Sequence, residues 1–344
     1  MRKNWGIARL VCVFSVCIAL IGYNAYSFCF KGRKAQISVT EISAEDFAYF
    51  DEDEETAEVT SEEATPSQED AGSAAASTDG SVKGKIKSKY ISPYSAPLTY
   101  GGVNMKNSTD LTVNIKELLE SPLTFKIAKE DSPQVLIVHT HTTETYMTED
   151  TDYYTSAFSS RTRESDKNMV SVGNIVTEKL NNAGIKTLHD TTEHDYPNYT
   201  GSYSRAAETI TGYLKKYPSI KVVLDLHRDA VSSGESDKVK LVTEIEGKKA
   251  AQVMLVMGSQ SGSVTNFPNW KENLKLAVRL QQKLEQKYPA LARPLSLMSK
   301  NYNESLTAGS LLIEFGTDAN TLSEAHYSAE LVGNALAELL TEIT

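Results

Sequence analysis

Three short apolar runs break off at polar, chemistry-bearing residues, and that pattern restricts the fold more than any other feature of the chain. Val135-Leu136-Ile137-Val138 runs into His139-Thr140-His141-Thr142-Thr143-Glu144. Val222-Val223-Leu224-Asp225-Leu226 stops at His227, and Leu311-Leu312-Ile313 leads into Glu314-Phe315-Gly316. A solid apolar run of this length reads as a strand buried on both faces, with its last residues emerging at a sheet edge. Ligands and catalytic groups of open α/β sheets gather at that edge. The three runs therefore predict one site supplied with histidines and glutamates.

Helical patterns alternate with these runs. Apolar spacing and stop signals predict helices over 112–120, 168–183, 203–217, 270–286 and 321–340, and strands over 134–140, 185–188, 221–227, 251–257 and 311–315. The expected fold class is α/β, a mostly parallel twisted sheet covered by helices on both faces. Residues 93–344 form the expected catalytic domain, a length sufficient for one core.

The N-terminal part has a different composition. Leu10 to Phe30 carries no charge and is long enough to cross a hydrocarbon core of roughly 30 Å. We read 1–9 as a short cytoplasmic N-terminus and 10–30 as a transmembrane anchor. A cleavable signal peptide, with Ala25 and Ser27 spaced for cleavage, is the competing reading. Basic residues flank both ends, so charge alone does not orient the segment. Residues 31–92 are expected to be a disordered acidic linker: Asp51-Glu52-Asp53-Glu54-Glu55 passes into Ala/Ser/Gly-rich sequence and then Lys83, Lys85, Lys87 and Lys89.

All three cysteines, Cys12, Cys17 and Cys29, fall in the apolar segment. No disulfide framework or thiolate metal site is available to the remainder, so a metal must be held by His, Asp or Glu. The formal charge of −10, with no basic stripe, excludes nucleic acid as the expected partner.

His141 and Glu144, three apart just past a strand end, can grip one ion from one side, and His227 at the end of another strand supplies a third ligand. The donor set suits Zn2+. Asp225, two residues before His227 on the same face, is the carboxylate expected to support its ring. His139 is a further candidate as ligand, substrate contact or packed histidine, and Glu164 is an alternative carboxylate ligand. Glu314 is an acid inside an apolar run, which requires a partner or a chemical task. Beside a metal site it is the expected catalytic proton carrier, against a buried salt bridge with Arg205 or Arg228. Arg228 and Asp229 either bind substrate or pair with each other, and Arg205 is open between a substrate contact and a structural pairing.

Five blocks in order carry a family likeness: Gly101-Gly102-Val103, Val138 to Glu144, Gly201-Ser202-Tyr203-Ser204-Arg205, Asp225-Leu226-His227-Arg228-Asp229 and Leu312-Ile313-Glu314-Phe315-Gly316. From about residue 95 onward the chain resembles the stage II sporulation protein P family. That resemblance implies a fold like the zinc N-acetylmuramoyl-L-alanine amidases and cleavage of the amide between N-acetylmuramic acid and L-alanine of peptidoglycan. It implies endopeptidase activity on peptide cross-links as well. It further implies a role in forespore engulfment, partnership with sporulation proteins D and M, and a catalytic domain outside the cytoplasm, in the space between mother-cell and forespore membranes. The family pattern supports His141 and His227 as metal histidines and Glu314 as the catalytic acid. For the carboxylate ligand, Glu144 matches the block of the sporulation proteins and Glu164 the wider amidase arrangement; Glu144 is chosen.

Two other functions fit the same residues. A zinc carboxypeptidase acting on stem peptides needs an arginine for the terminal carboxylate, which Arg205 or Arg228 would supply. A non-catalytic wall-binding scaffold needs only the fold.

Overall fold

The structure, a computed structural model, describes residues 40–42 and 80–344 except Glu235. The expected N-terminus at 1–9, the anchor at 10–30 and most of the linker lie outside the described residues. No helix among the described residues is long and apolar enough to cross a membrane.

In chain order the strands are β1 (Thr40–Ile42), β2 (Val82–Ile91), β3 (Leu98–Tyr100), β4 (Val103–Asn107), β5 (Val135–Val138), β6 (Tyr153–Thr155) and β7 (Thr187–His189). There follow β8 (Val222–Asp229), β9 (Ser232–Ser233), β10 (Asp237–Ile245), β11 (Lys248–Ala251), β12 (Val253–Gly258), β13 (Leu295–Met298) and β14 (Ser310–Thr317). The α-helices are α1 (Ile115–Glu120), α2 (Met169–Asn182), α3 (Ser202–Lys216), α4 (Trp270–Lys287) and α5 (Leu322–Glu342). Each predicted helix is present, with ends displaced by a few residues.

The main sheet has the order β3-β4-β13-β12-β14-β8-β5-β7. The three runs that end in polar residues, β5, β8 and β14, lie side by side and parallel. The expectation of a mostly parallel sheet is corrected: β12 is antiparallel to β14 and β3 to β4. A second sheet, β1-β2-β10-β11 with β6 on β2 and β9 on β10, adds three further antiparallel pairings. The two-residue turns Gly101-Gly102 and Glu246-Gly247 join β3 to β4 and β10 to β11 directly, so these pairs need no crossover helix.

The other boundary to be corrected is the linker. Val82–Ile91 is a ten-residue strand, paired in parallel with β10 and β1 and antiparallel with β6. The lysines at 83, 85, 87 and 89 alternate with Gly84, Ile86, Ser88 and Tyr90, a period of two that fits a half-buried strand as well as a solvated tether. Buried Ile86 and Ile91 show which it is.

Alternation along the central strands sorts their side chains. Val135, Ile137, Leu224, Leu226, Leu311, Ile313 and Phe315 join the large core under α2, α4 and α5. Leu136, Val138 and Val223 face the other way, against Ile210, Tyr213 and Tyr217 of the α3 region. Helices therefore cover both faces, as expected. Farther along the second face, beside Tyr203 in the first turn of α3, stand Asp225, His227 and Glu314.

Candidate metal centre

Past Val138 the chain leaves the sheet, yet His139 through Met147 are all buried. A buried loop must satisfy its own polar groups, and the threonines of this segment do so. Thr140 donates its N–H to Asp225 Oδ1 at 2.8 Å and its hydroxyl to Oδ2 at 2.6 Å. Thr142 donates its hydroxyl to the Thr192 carbonyl at 2.6 Å, and Thr143 donates N–H and hydroxyl to Asp195. The Thr145 hydroxyl donates to the Lys167 carbonyl at 2.5 Å. Tyr146 donates to the Phe315 carbonyl at 3.0 Å, tying the loop to β14. Gly316, at φ +70°, allows the irregularity after Glu314; a Cβ there would sit 2.6 Å from Asn320 Oδ1.

This loop brings His141 and Glu144 to His227, and one nitrogen or oxygen of each lies within 4.8 Å of the others. Glu144 Oε1 is 3.4 Å from His141 Nδ1, and Oε2 is 3.8 Å from His227 Nδ1. Charge-assisted hydrogen bonds would be about 2.7–2.9 Å. Two ligands held at about 2.1 Å by a tetrahedral ion stand about 3.4 Å apart. The spacing therefore suits three ligands around a small cation. Asp225 Oδ1 lies 2.9 Å from His227 Nε2, which turns Nδ1 toward Glu144.

The charges point the same way. Burial opposes ionisation of Glu144, but the Arg228 guanidinium, with His141 and His227, outweighs it and holds the carboxyl well below the usual carboxylate range. Burial likewise favours a neutral His227, yet Asp225, with Glu144 and Glu314, pushes it up to about 10. The acids thus demand a positive charge, which a proton on His227 or a bound cation meets. Burial pushes the Glu314 carboxyl up to about 8, against His227 and with help from Asp229 and Glu144. Glu314 and His227 are register partners on β14 and β8.

Other predicted residues are placed differently. His139 lies on the α2 side of the sheet, its Nδ1 2.9 Å from the Leu226 carbonyl and its Nε2 2.8 Å from His189 Nε2. Burial, then His189, lowers it to about 3, and with both ring nitrogens partnered it packs as a neutral histidine outside the group formed by His141, Glu144 and His227. Glu164 is exposed and ion-paired with Lys167, away from the ligands. Arg205 donates to the carbonyls of His194, Thr200 and Asn198, a structural clamp on that loop. Arg228 and Asp229 do not bind each other's charged groups. Arg228 donates its backbone N–H to Glu144 Oε2 at 3.1 Å and its side chain to the Thr145 and Ser160 carbonyls. Asp229 pairs with buried Arg293 at 2.9 Å.

Sequence reasoning passed over several neighbours. Tyr199 stacks on His141 with centroids 4.7 Å apart, and Tyr203 meets both His141 and His227. Arg161 lies over the Tyr199 ring, pairs with Asp195 at 2.5 Å and reaches within 3.9 Å of Glu144 Oε1. The only signal for these was the Gly201-to-Arg205 block, which includes Tyr203.

Fold and site together define a mixed α/β protein with a buried His/Glu/His cluster and an acid on the adjoining strand. The family described as Stage II sporulation protein P matches residues 23–337. The chain belongs to that family. Stage II sporulation protein P of Bacillus subtilis (strain 168) is 30% identical over 229 residues, which cover 62% of this chain and 51% of that protein. The chain thus spans about half the length of the curated relative it matches. Among solved structures, an N-acetylmuramoyl-L-alanine amidase from Clostridium difficile 630 aligns at 14% identity and a TM-score of 0.35, covering 62% of this chain and 97% of that one. The amidase CwlD of Clostridioides difficile, solved with the GerS lipoprotein, aligns at 9% identity and a TM-score of 0.37, covering 61% and 98%. TM-scores this low decide nothing about the chain's chemistry.

Proposed function

We propose that this protein is a sporulation peptidoglycan hydrolase, a zinc-dependent N-acetylmuramoyl-L-alanine amidase. The observation that carries the reading is the buried His141, Glu144 and His227 cluster with Glu314 on the neighbouring strand. Membership of the sporulation family supports it.

His141, Glu144 and His227 would hold zinc, with Asp225 orienting His227 and Arg228 orienting Glu144. Bound there, zinc supplies a Lewis acid for the scissile carbonyl and acidifies a water. Glu314 takes the proton from the attacking water and delivers it to the leaving nitrogen. Burial raises the Glu314 carboxyl above the usual carboxylate range, and a cation held by the neighbouring ligands would oppose that rise. Tyr199 and Tyr203 fix the ring of His141, and burial keeps bulk water from the acid.

The same proposal includes endopeptidase activity on cross-links, action in engulfment with sporulation proteins D and M, and an N-terminal membrane anchor with the catalytic domain outside the cytoplasm. These rest on the family likeness alone. No observation favours the carboxypeptidase, since Arg205 clamps backbone carbonyls and Arg228 holds Glu144. Digestion of purified peptidoglycan tests the reading: the products should be stem peptides with a new L-alanine N-terminus. Release of free C-terminal amino acids alone would contradict it. His141→Ala and His227→Ala should lose both zinc and cleavage, and Glu164→Ala should keep both.

A further inference from the structure

Behind the ligand Glu144 lies a cavity of about 120 Å³, lined by Ser160, Arg161, Arg228, Ser232, Lys238 and Asp318 among others. Two of its cations, Arg161 and Arg228, also approach Glu144 Oε1 to 3.9 and 3.8 Å. The cavity therefore begins one side chain from the metal cluster. Its lining holds three cations against one acid, Asp318, which is ion-paired with Lys238. The acid that pairs with Arg161, Asp195, is fully buried behind it. The side chains of Arg161 and Lys238 keep 30% and 21% of their surface exposed, so both can meet a solute. Lys238 is held against the rings of Tyr154 and Phe158, 5.2 and 5.6 Å from their centroids. Once Glu144 is committed to a cation, Arg228 loses part of its compensating charge, and the cavity becomes more attractive to an anion.

We propose that this cavity is a subsite for a carboxylate on the peptide portion of the substrate, with Lys238 and Arg161 as its donors. The volume suits a small planar anion, and a guanidinium beside an ammonium is the donor set such a group prefers. The inference rests on the amide-hydrolase reading and adds to it a specificity for acidic peptide. The cations of the lining outnumber its one acid, and a carboxylate docked there holds the peptide beside the cluster.

The test uses the full chain and two muramoyl dipeptides that differ only in whether their second residue bears a free carboxylate or a carboxamide. The wild-type protein should show a KM about tenfold lower for the carboxylate form, with kcat little changed, as expected for one charge-assisted contact. Lys238→Gln should remove that preference and leave the carboxamide form unaffected. Asp318→Asn should move the KM for the carboxylate form the opposite way, a result that mere damage to the fold does not give. Calorimetric binding of both dipeptides to the metal-free protein supplies a readout independent of turnover. If neither dipeptide is cleaved, the amidase reading fails, and binding still decides the subsite. Equal affinity for the two dipeptides, or a Lys238→Gln effect of equal size on both, would overturn the proposal. So would competition by inorganic phosphate equal to that of the peptide carboxylate, since the cavity would then be a general anion trap.

Discussion

Glu314 is a buried acid on β14 in register with His227, and its proposed task is to carry a proton. Replacement by Gln keeps the shape and removes the proton carrier, so zinc content should stay at the wild-type level while turnover falls about 10²–10⁴-fold. Near-normal turnover would remove Glu314 from the mechanism. The same carboxyl predicts a stability profile for the metal-free protein. Its folded value is raised from 4.5 to about 8, and that of His227 from 6.5 to about 10. A raised group stabilises the fold fully below its unfolded value and loses that contribution as pH rises through the folded value. In the metal-free protein the Glu314 contribution should therefore be lost between about pH 4.5 and pH 8 and the His227 contribution between about pH 6.5 and pH 10, so that thermal stability declines through pH 6.5–10. Glu314→Gln should flatten the part of the decline near pH 8, and melting curves that rise over this range would contradict the assignment. The sequence marks His141, His227 and Glu314 through the buried apolar runs that lead to them, and the structure gathers them: His227 and Glu314 are register partners within β8 and β14, and His141 lies three residues past β5. Of the three roles open to His139, the structure shows the packed histidine, because the strand expected to reach residue 140 stops short of it. It ends at Val138, so the chain turns between the two histidines and sends them to opposite sides.

At the scale of elements, threonines and one glycine set the loop geometry. Gly173 of α2 lies against the His139–His189 pair, and a Cβ there would come within 2.5 Å of His189 Nε2 and 2.7 Å of His139 Nε2. Gly173→Ala should cost about 1–3 kcal/mol of stability while leaving the zinc stoichiometry unchanged. Loss of zinc in that variant would mean that His139 contributes to the site after all. The β2 strand illustrates the reverse difficulty. Alternating Lys with small or apolar residues satisfies both a solvated tether and a strand with one wet face. Only its partner β10, about 150 residues downstream in pairings such as Ile86 with Lys238, decides between them. Hairpins such as β10–β11 were missed for a related reason: polar, lysine-rich strands lack the solid apolar runs that revealed β5, β8 and β14.

For the molecule as a whole, the described fold begins well before residue 93. A chain starting at residue 93 lacks β2 and with it the burial of Ile86 and Ile91, each worth about 1.5–3 kcal/mol. It should melt well below a chain starting at residue 80; equal melting temperatures would show β2 to be dispensable. The α/β class was legible because helix and strand periods alternate through the chain. The mixed strand directions were not, because β12 and β14 are separated in sequence by α4 and β13, so no turn marks their antiparallel pairing. One ion should be held by His141, Glu144 and His227. Anomalous diffraction at the zinc edge, from crystals of zinc-loaded protein, tests it most directly. A single strong peak bounded by those three side chains, with Glu314 beside it, is expected. A peak at Glu164, or no peak among the three, would contradict it.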